Sequence, residues 1–510
     1  MSRRVLSRQR PLAAIGLGAA FVFGLVFRFW TRSPLWLDEA LTVNIAKLPL
    51  HDIPEALRHD GHPPLYYWLL HGWMSIFGSG DRAVRVLSGL FGTALVPLAY
   101  VAGRRVWAAN TDRRAAGVGC AVIVALNPFV IRYSTEARMY AMVMVLALTF
   151  LLVLHSVFAA PTTPGLLAVA GLSAALLLTH YWSLYLVAVV GILLLVVAVR
   201  NEPRRSAAIK CSVAVAGGLL GFAWWIPSML DQAGHTGTPW ARPANPMAVV
   251  VNTLSDTGGI IRVEQQAFAL MAAVFLVIGL FGRSSADGVV LERRVQRDVR
   301  LLAVVVLGTM AIGTIAGYAS SSTFISRYAS VYMPVILVIT GIGVARLADR
   351  HWIAGTLIVI SLLGGVAGVR NVTTERTQAG QIAAVISSRA AAGDVVVFCP
   401  DQLGPAVSRR LVGSLDQVTF PRGDRPELVN WRDYVERNAS ADPVKFARAV
   451  SGRAGTHSVW FVWSDEYRGP ETKCSAIGSE LASLRTNGPP LLKPNVSYEH
   501  AFLSEFSAHG

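Results

Sequence analysis

The sequence predicts a polytopic α-helical membrane protein with a small extracytoplasmic α/β domain at its C-terminal end. Three observations carry this reading. The 510 residues are 53% hydrophobic and only 15% charged, against about 25% charged in a soluble globular chain. Apolar runs of about 20 residues, long enough to cross a bilayer, recur through the first 370 positions. From Asn371 the composition turns polar, with short apolar runs bounded by glycine and proline. A net charge of +15 would suit a nucleic-acid partner. The basic residues, however, are spread over short loops between apolar runs, where they report orientation in the bilayer, and nucleic acid is excluded on that ground.

Arg3, Arg4, Arg8 and Arg10 precede the first span, Pro11 to Phe29, and set the N-terminus in the cytoplasm. That span lacks a small-residue cleavage site and is expected to stay as a signal anchor. A first outer loop, 31–82, follows. Span two, Ala83 to Val101, returns to Arg104, Arg105, Arg113 and Arg114. The next spans are Ala115 to Val130, Met139 to Ala159, Gly165 to Leu178, a sixth ending at Arg200, and Ser212 to Ile226. Four more end with Trp352 to Val369, giving about eleven in all. With this count the densest basic loops, around Arg204 and Arg294, fall on the inner side. The outer loops are 132–138, 179–182, 228–265 and 320–328, and the aromatic stretch after His62 reads as a loop lying at the interface.

Two domains follow: a membrane domain, 1–370, and an outer α/β domain, 371–510, in a plasma-membrane protein. In the second, Asp394 to Cys399 and His457 to Trp463 read as buried strands, and Gln381 to Ala392, Pro443 to Val450 and Glu480 to Thr486 as helices. Cys120 and Cys211 fall in apolar spans and read as core residues. Outside the cytoplasm Cys399 and Cys474 can form a disulfide or stay free, and the sequence leaves both open. Asn371, Asn438 and Asn495 begin N-x-Ser/Thr triplets, which matter only in a glycosylating secretory pathway.

Chemistry concentrates on the outer loops. Asp38 and Glu39 lie just beyond span one, where a carboxylate can take the proton of an attacking hydroxyl. The alternative is a helix N-cap followed by a first-turn acid. His62, held by Pro63-Pro64, can donate to a phosphate or bind a metal, or can be an interfacial histidine without a role. Arg132, Glu136 and Arg138 share a short outer loop where the positive-inside rule disfavours arginine. Either the arginines recognise phosphate, or Glu136 simply pairs with one of them. His180, Tyr181, His235, Trp240, Arg327 and Tyr328 also stand on outer loops, and Tyr66 follows the His-Pro-Pro turn. His235, Glu136 and His180 are candidate ligands for a divalent metal, without the tight spacing of a known metal motif.

Trp36-Leu37-Asp38-Glu39, His62-Pro63-Pro64-Leu65-Tyr66-Tyr67-Trp68, Thr135-Glu136-Ala137-Arg138-Met139-Tyr140, Thr179-His180-Tyr181 and Arg327-Tyr328 together resemble the GT-C superfamily of integral-membrane glycosyltransferases. The resemblance is to the protein O-mannosyltransferase-like and aminoarabinose-transferase-like branch, with a trace of its actinobacterial members. It covers about the first 370 residues.

The resemblance implies a sugar donor on a polyprenyl phosphate, such as the mannose donor, used on the outer face. The acceptor would be a cell-envelope glycan, lipid or protein. Asp38 would be the base with Glu39 beside it, and Arg138, Arg327, His62, Arg132 and Tyr328 would surround the donor phosphate. Glu136, Tyr66, His180, Tyr181, His235 and Trp240 would line the substrate pocket. His235 lies where one relative uses a histidine with a metal, but Gly61 stands where that relative carries an acidic ligand. Two other readings compete: a transporter or flippase of a lipid-linked sugar, and a non-catalytic membrane scaffold that binds glycan. A transporter is expected to carry charges near the bilayer midplane and internal repeats, and neither is visible here.

Overall fold

A computed structural model of the chain describes residues 18, 20–106, 112–200, 202–236, 245–259, 263–285, 288–319, 324–467 and 472–509. Seven of its helices are long and apolar enough to cross a membrane. An eighth span results if the pair Arg113–Leu126 and Pro128–Ser134, bent by 55°, is taken as one. Asn127 makes the bend: its side chain accepts from Val130 N–H, and Pro128 follows as the first helical residue, where its missing N–H costs nothing. Two shorter apolar helices, Thr163–Leu177 and Met333–Ala345, fall on expected spans. Every residue of Met333–Ala345 is buried, so this helix is enclosed by protein rather than lipid. Gly341 permits that enclosure, since a Cβ there would meet the Cys120 backbone at 2.6 Å. Of the expected first span, residues 11–17 and 19 lie outside the described residues, and the rest is helical over 20–26.

The loops expected on the outer side are more ordered than the sequence suggests. Loop one folds into three helices, α1 (Leu37–Ala46), α2 (Ile53–Arg58) and α3 (Leu65–Phe77). The segment read as an interfacial loop is therefore α3. Pro63 and Pro64 precede that helix, a position where proline is tolerated because the first N–H groups have no intrahelical partner. The loop expected over 228–265 contains the helix Pro246–Asp256 and most of Ile226–His235. The basic loop before residue 300 carries a hairpin of β1 (Gly282–Ser285) and β2 (Gly288–Leu291).

The C-terminal domain holds a five-stranded sheet of β3 (Val395–Cys399), β4 (Asp416–Thr419), β5 (Val459–Trp463), β6 (Thr486–Asn487) and β7 (Phe502–Ser507), in the order β4-β3-β5-β7-β6. β3 runs parallel to β4 and β5, and β7 is antiparallel to β5 and β6. Strand alternation divides its side chains between two cores. Val396, Phe398, Trp460, Val462 and Leu503 join the core that continues into the membrane domain. Val395, Val397, Val459, Phe461 and Phe506 pack instead with the helices Pro443–Ala454 and Lys473–Leu484. Cys399 and Cys474 are joined as a disulfide, which ties β3 to the second of these helices. Asn371 and Asn438 are buried, so neither side chain is open to a glycan.

The domain sits directly on loop one. Asn44 Nδ2 donates to Glu427 O at 2.8 Å, Trp431 N–H to His59 O at 2.9 Å, and Arg409 pairs with Asp81 at 3.6 Å. The linker after the last membrane helix bonds the chain's final segment: Glu499 N–H donates to Arg376 O and Gln378 N–H to Glu499 O. This short bridge carries residues 498–500 over the start of α1.

Candidate active site

Asp38 and Glu39 occupy the first turn of α1, where acids are favoured by the helix dipole. Successive helical residues point about 100° apart, and the two carboxylates diverge accordingly. Asp38 faces a cavity of about 290 Å³ that opens beneath the C-terminal domain. Its Oδ2 accepts from Arg327 Nη1 at 2.7 Å.

Glu39 points the other way and is fully buried. It takes Arg85 Nε at 2.7 Å and Nη2 at 2.5 Å, and Ala137 N–H at 2.9 Å. Burial raises the Glu39 carboxyl, but the Arg85 guanidinium, with Arg376 and the Ala137 N–H, more than offsets it and holds the group below the usual carboxylate range. The structure thus corrects the expectation of a catalytic pair: Asp38 alone meets the cavity, and Glu39 belongs to a buried ion network.

Arg138 lies on the inner side of α1. Its Nη1 donates to Thr42 Oγ1 at 2.6 Å, to the Asp38 carbonyl at 3.3 Å and to Tyr67 OH at 3.4 Å, while Nη2 meets His62 Nε2 at 3.0 Å. His62 Nδ1 in turn faces Asp60 Oδ2 at 2.9 Å, and Tyr67 OH donates to the same oxygen at 3.0 Å. Asp60 is buried; burial raises its carboxyl, but His62, Arg138 and Tyr67 together hold it below its ordinary value. An Asp60–His62–Arg138 chain therefore fixes the guanidinium from behind. Ser88 Oγ, itself bonded to Tyr66 OH at 3.1 Å, donates to Arg138 O at 3.2 Å. Tyr66 thus supports Arg138 and is itself fully buried. No carboxylate side chain among the described residues pairs directly with Arg138.

Aromatic rings close this space. Tyr140 lies under the Arg138 guanidinium at 5.8 Å and edge-on to His180 at 5.9 Å. His180 meets Tyr328 at 5.4 Å, and Tyr328 stacks on Trp182 at 5.7 Å. His180 Nδ1 accepts Trp182 N–H at 3.1 Å. Burial, with the neighbouring arginines, pushes the imidazole well below its ordinary pKa, so it is neutral with its proton on Nε2. Three buried polar atoms here have no hydrogen-bond partner: Arg138 Nε, Arg327 Nε and Tyr140 OH. Unpartnered Nε atoms also occur at Arg28, Arg376 and Arg437; what sets this place apart is that two arginines and a phenol gather in it beside Asp38. Together they suit an anion.

The other expected site residues lie elsewhere. Arg132 pairs with Glu136 at 3.0 Å, and Glu136 also accepts from Trp36 Nε1 at 3.0 Å. Arg376 approaches Glu136 at 3.8 Å and Glu39 at 4.0 Å, and bonds Thr135 through O and Oγ1. Glu136 and Arg132 are thus paired inside the same network as Glu39. Tyr181 OH is bonded to Gln232 and to Trp225 Nε1, joining two helices rather than facing a ligand. His235 is half exposed and pairs with Asp433 of the C-terminal domain at 2.8 Å. Trp240 lies outside the described residues.

The three candidate metal ligands are engaged separately, Glu136 with arginine, His180 within aromatic rings and His235 with Asp433. Among the described residues no group of three His, Cys, Asp or Glu side chains could hold a metal ion, so the donor set does not fit one.

Sequence reasoning missed Asp60, Arg85, Arg376 and Tyr140, and all of the C-terminal residues that line the cavity. Two signals were readable. Asp60 stands two residues before His62, close enough for a carboxylate to orient the ring. Arg85 begins span two on the outer side, against the positive-inside rule.

Residues 61–230 match the family model of dolichyl-phosphate-mannose-protein mannosyltransferases. The whole chain is similar in fold to ArnT from Cupriavidus metallidurans in the apo state, with a TM-score of 0.64, 12% identity and 98% of each chain covered. The same ArnT bound to undecaprenyl phosphate aligns with a TM-score of 0.61 and 11% identity, over 97% of this chain and 98% of that one. The Archaeoglobus fulgidus oligosaccharyltransferase in complex with Zn and sulfate aligns with a TM-score of 0.53 and 10% identity, over 88% of this chain and 68% of that one. No curated protein sequence matches the chain. The chain has the fold of ArnT, a polytopic helical domain followed by a small sheet domain.

Proposed function

We propose that the protein is a polyprenyl-phosphate-dependent glycosyltransferase that moves a sugar, mannose in the first instance, to an acceptor hydroxyl on the outer face of the membrane. The observation that carries this is the cluster of unpartnered buried donors, Arg138 Nε, Arg327 Nε and Tyr140 OH, next to the Asp38 carboxylate. The cations mark a place for a phosphate, and the carboxylate a place for a proton. The match to a mannosyltransferase family over 61–230 and the undecaprenyl phosphate bound by the ArnT relative support the same reading.

The donor's lipid tail lies among the membrane helices and its phosphate against Arg138, Arg327 and Tyr140. Asp38 takes the proton of the acceptor hydroxyl as its oxygen bonds to the anomeric carbon. The bond from that carbon to the phosphate oxygen breaks, and the electron pair leaves on polyprenyl phosphate. The arginines stabilise the charge that develops there. A single displacement inverts the anomeric carbon.

Arg327 touches both partners in this scheme: it pairs with Asp38 through Nη1 and keeps Nε for the phosphate. The metal expected as a possibility has no part in it. A transporter reading gains no support, since Asp38, Arg138 and Arg327 gather at span ends and not within a span.

The test is a purified-protein assay with a polyprenyl-phosphate mannose donor and a cell-envelope extract as acceptor. Stoichiometric release of free polyprenyl phosphate with mannose transferred to acceptor is expected. Movement of intact donor across vesicles without release would decide for a flippase.

A further inference from the structure

The cavity above Asp38 has a chemical character opposite to that of the phosphate cluster below it. Its floor is Trp36, Leu37, Asp38 and Arg327, and its roof comes from the C-terminal domain. Among the described residues Arg327 is the one arginine in the lining, no lysine joins it, and Asp38 pairs with it through Nη1. Facing these are the carboxyls of Glu466 and Glu499 and the rings of Trp431, Tyr467 and Tyr498. His500 Nε2 pairs with Glu466 Oε2 at 2.7 Å, while its Nδ1 is fixed by Ser497 O at 2.7 Å. Tyr498 stands edge-on to Trp36 at 5.3 Å, and most of it is exposed.

Glu499 is 4% exposed. Its Oε2 accepts Leu37 N–H at 3.2 Å, and the Thr377 hydroxyl stands beside the carboxyl. Burial, with the charges of Asp38 and Glu39 nearby, pushes its carboxyl up to about 8, so it carries a proton at neutral pH and can donate as well as accept.

From this segregation of charge we propose that the cavity is the acceptor subsite and that its occupant is a neutral carbohydrate, held by Glu499 and the His500–Glu466 pair and packed on Tyr498 and Trp431. The proposal rests on the glycosyltransferase reading and adds to it the class of acceptor. A phosphorylated or carboxylated acceptor would bring negative charge against Asp38 and Glu466, while the one arginine among the described lining residues, Arg327, is paired with Asp38 and given to the donor phosphate in the scheme above. A neutral sugar brings hydroxyls, which both donate to and accept from carboxyl groups, and an apolar face that packs on aromatic rings. A volume of about 290 Å³ stands at the small end of ligand sites, which run from about 300 to 1,000 Å³. It suits one or two terminal residues of a longer glycan that projects from the open side.

The test uses the full-length protein in nanodiscs and two separate binding measurements. One follows tryptophan fluorescence on adding neutral mannose-, glucose- and arabinose-containing oligosaccharides, their phosphorylated counterparts and Ser/Thr-containing peptides. The other follows binding of polyprenyl phosphate. At least one neutral oligosaccharide is expected to bind, its phosphorylated counterpart more weakly. Tyr498→Ala is expected to weaken it roughly 3- to 10-fold with polyprenyl phosphate affinity unchanged, and Glu499→Gln, which keeps a donor and an acceptor in place of the protonated carboxyl, is expected to bind it nearly as wild type. Tyr498→Ala removes an exposed ring, so folding is not at stake.

Binding of the peptides in preference to every oligosaccharide, no oligosaccharide binding at all, or variants that weaken polyprenyl phosphate instead would each overturn the proposal. A wild-type protein that binds the oligosaccharide but not polyprenyl phosphate would sink the donor reading and leave this cavity's assignment standing.

Discussion

Asp38→Asn is expected to lower turnover of sugar transfer by about 10²- to 10⁴-fold, the span attributed to a positioned general base. The amide keeps an oxygen for Arg327 Nη1, so the 2.7 Å contact and the local fold can persist. What it loses is the capacity to take a proton from the acceptor. The loss should therefore fall on turnover, with the affinity for polyprenyl phosphate nearly unchanged, because the proposed scheme gives the phosphate to Arg138, Arg327 and Tyr140. Turnover equal to wild type would remove Asp38 from the mechanism. Loss confined to donor affinity would make it a phosphate-site organiser instead.

Glu39→Ala should damage stability where Asp38→Asn does not. It leaves Arg85, which is 5% exposed, without its carboxylate and takes one acid from Arg376. Breaking one side of a buried ion pair costs about 3–5 kcal/mol. Thermal unfolding in detergent should show a large fall in melting temperature. Replacing both residues, Glu39→Leu with Arg85→Met, should recover much of it, since the stranded charge is then gone. The pH dependence is fixed in sign. Glu39 in the fold lies below its unfolded value of about 4.3. Its stabilisation is complete above that pH and is lost as pH falls through the lower folded value. Glu39→Ala should flatten that part of the acid unfolding curve. A variant as stable as wild type would mean that the network is incidental.

The membrane helices were legible because bilayer thickness imposes one length and one composition, and the basic loops order them. The buried strands β3 and β5 were legible for a similar reason: a short run such as Val395-Val396-Val397-Phe398-Cys399, closed by Gly393 and Pro400, has few other uses. Loop one was not. α1 is buried on nearly all sides, which erases amphipathic periodicity, and α3 is disguised by prolines that begin it rather than prevent it.

At the site, Asp38, His62, Arg138, His180, Arg327 and Tyr328 were legible because polar groups at span ends need a reason to be there. Glu39, Glu136 and Arg132 were legible as unusual but not as a network, since what satisfies them is Arg85 and Arg376, distant in sequence. Glu499 could not be found at all: it meets Leu37 across 462 positions, through a bridge that exists only once the two domains dock.

The most direct measurement is a structure of the protein in nanodiscs with polyprenyl phosphate bound. The account predicts phosphate oxygens within hydrogen-bond reach, about 3 Å, of Arg138 Nε, Arg327 Nε and Tyr140 OH, with Asp38 facing the opposite, open side. A phosphate held by Arg132 or by the acidic cavity under Glu499, with those three donors still bare, would contradict it.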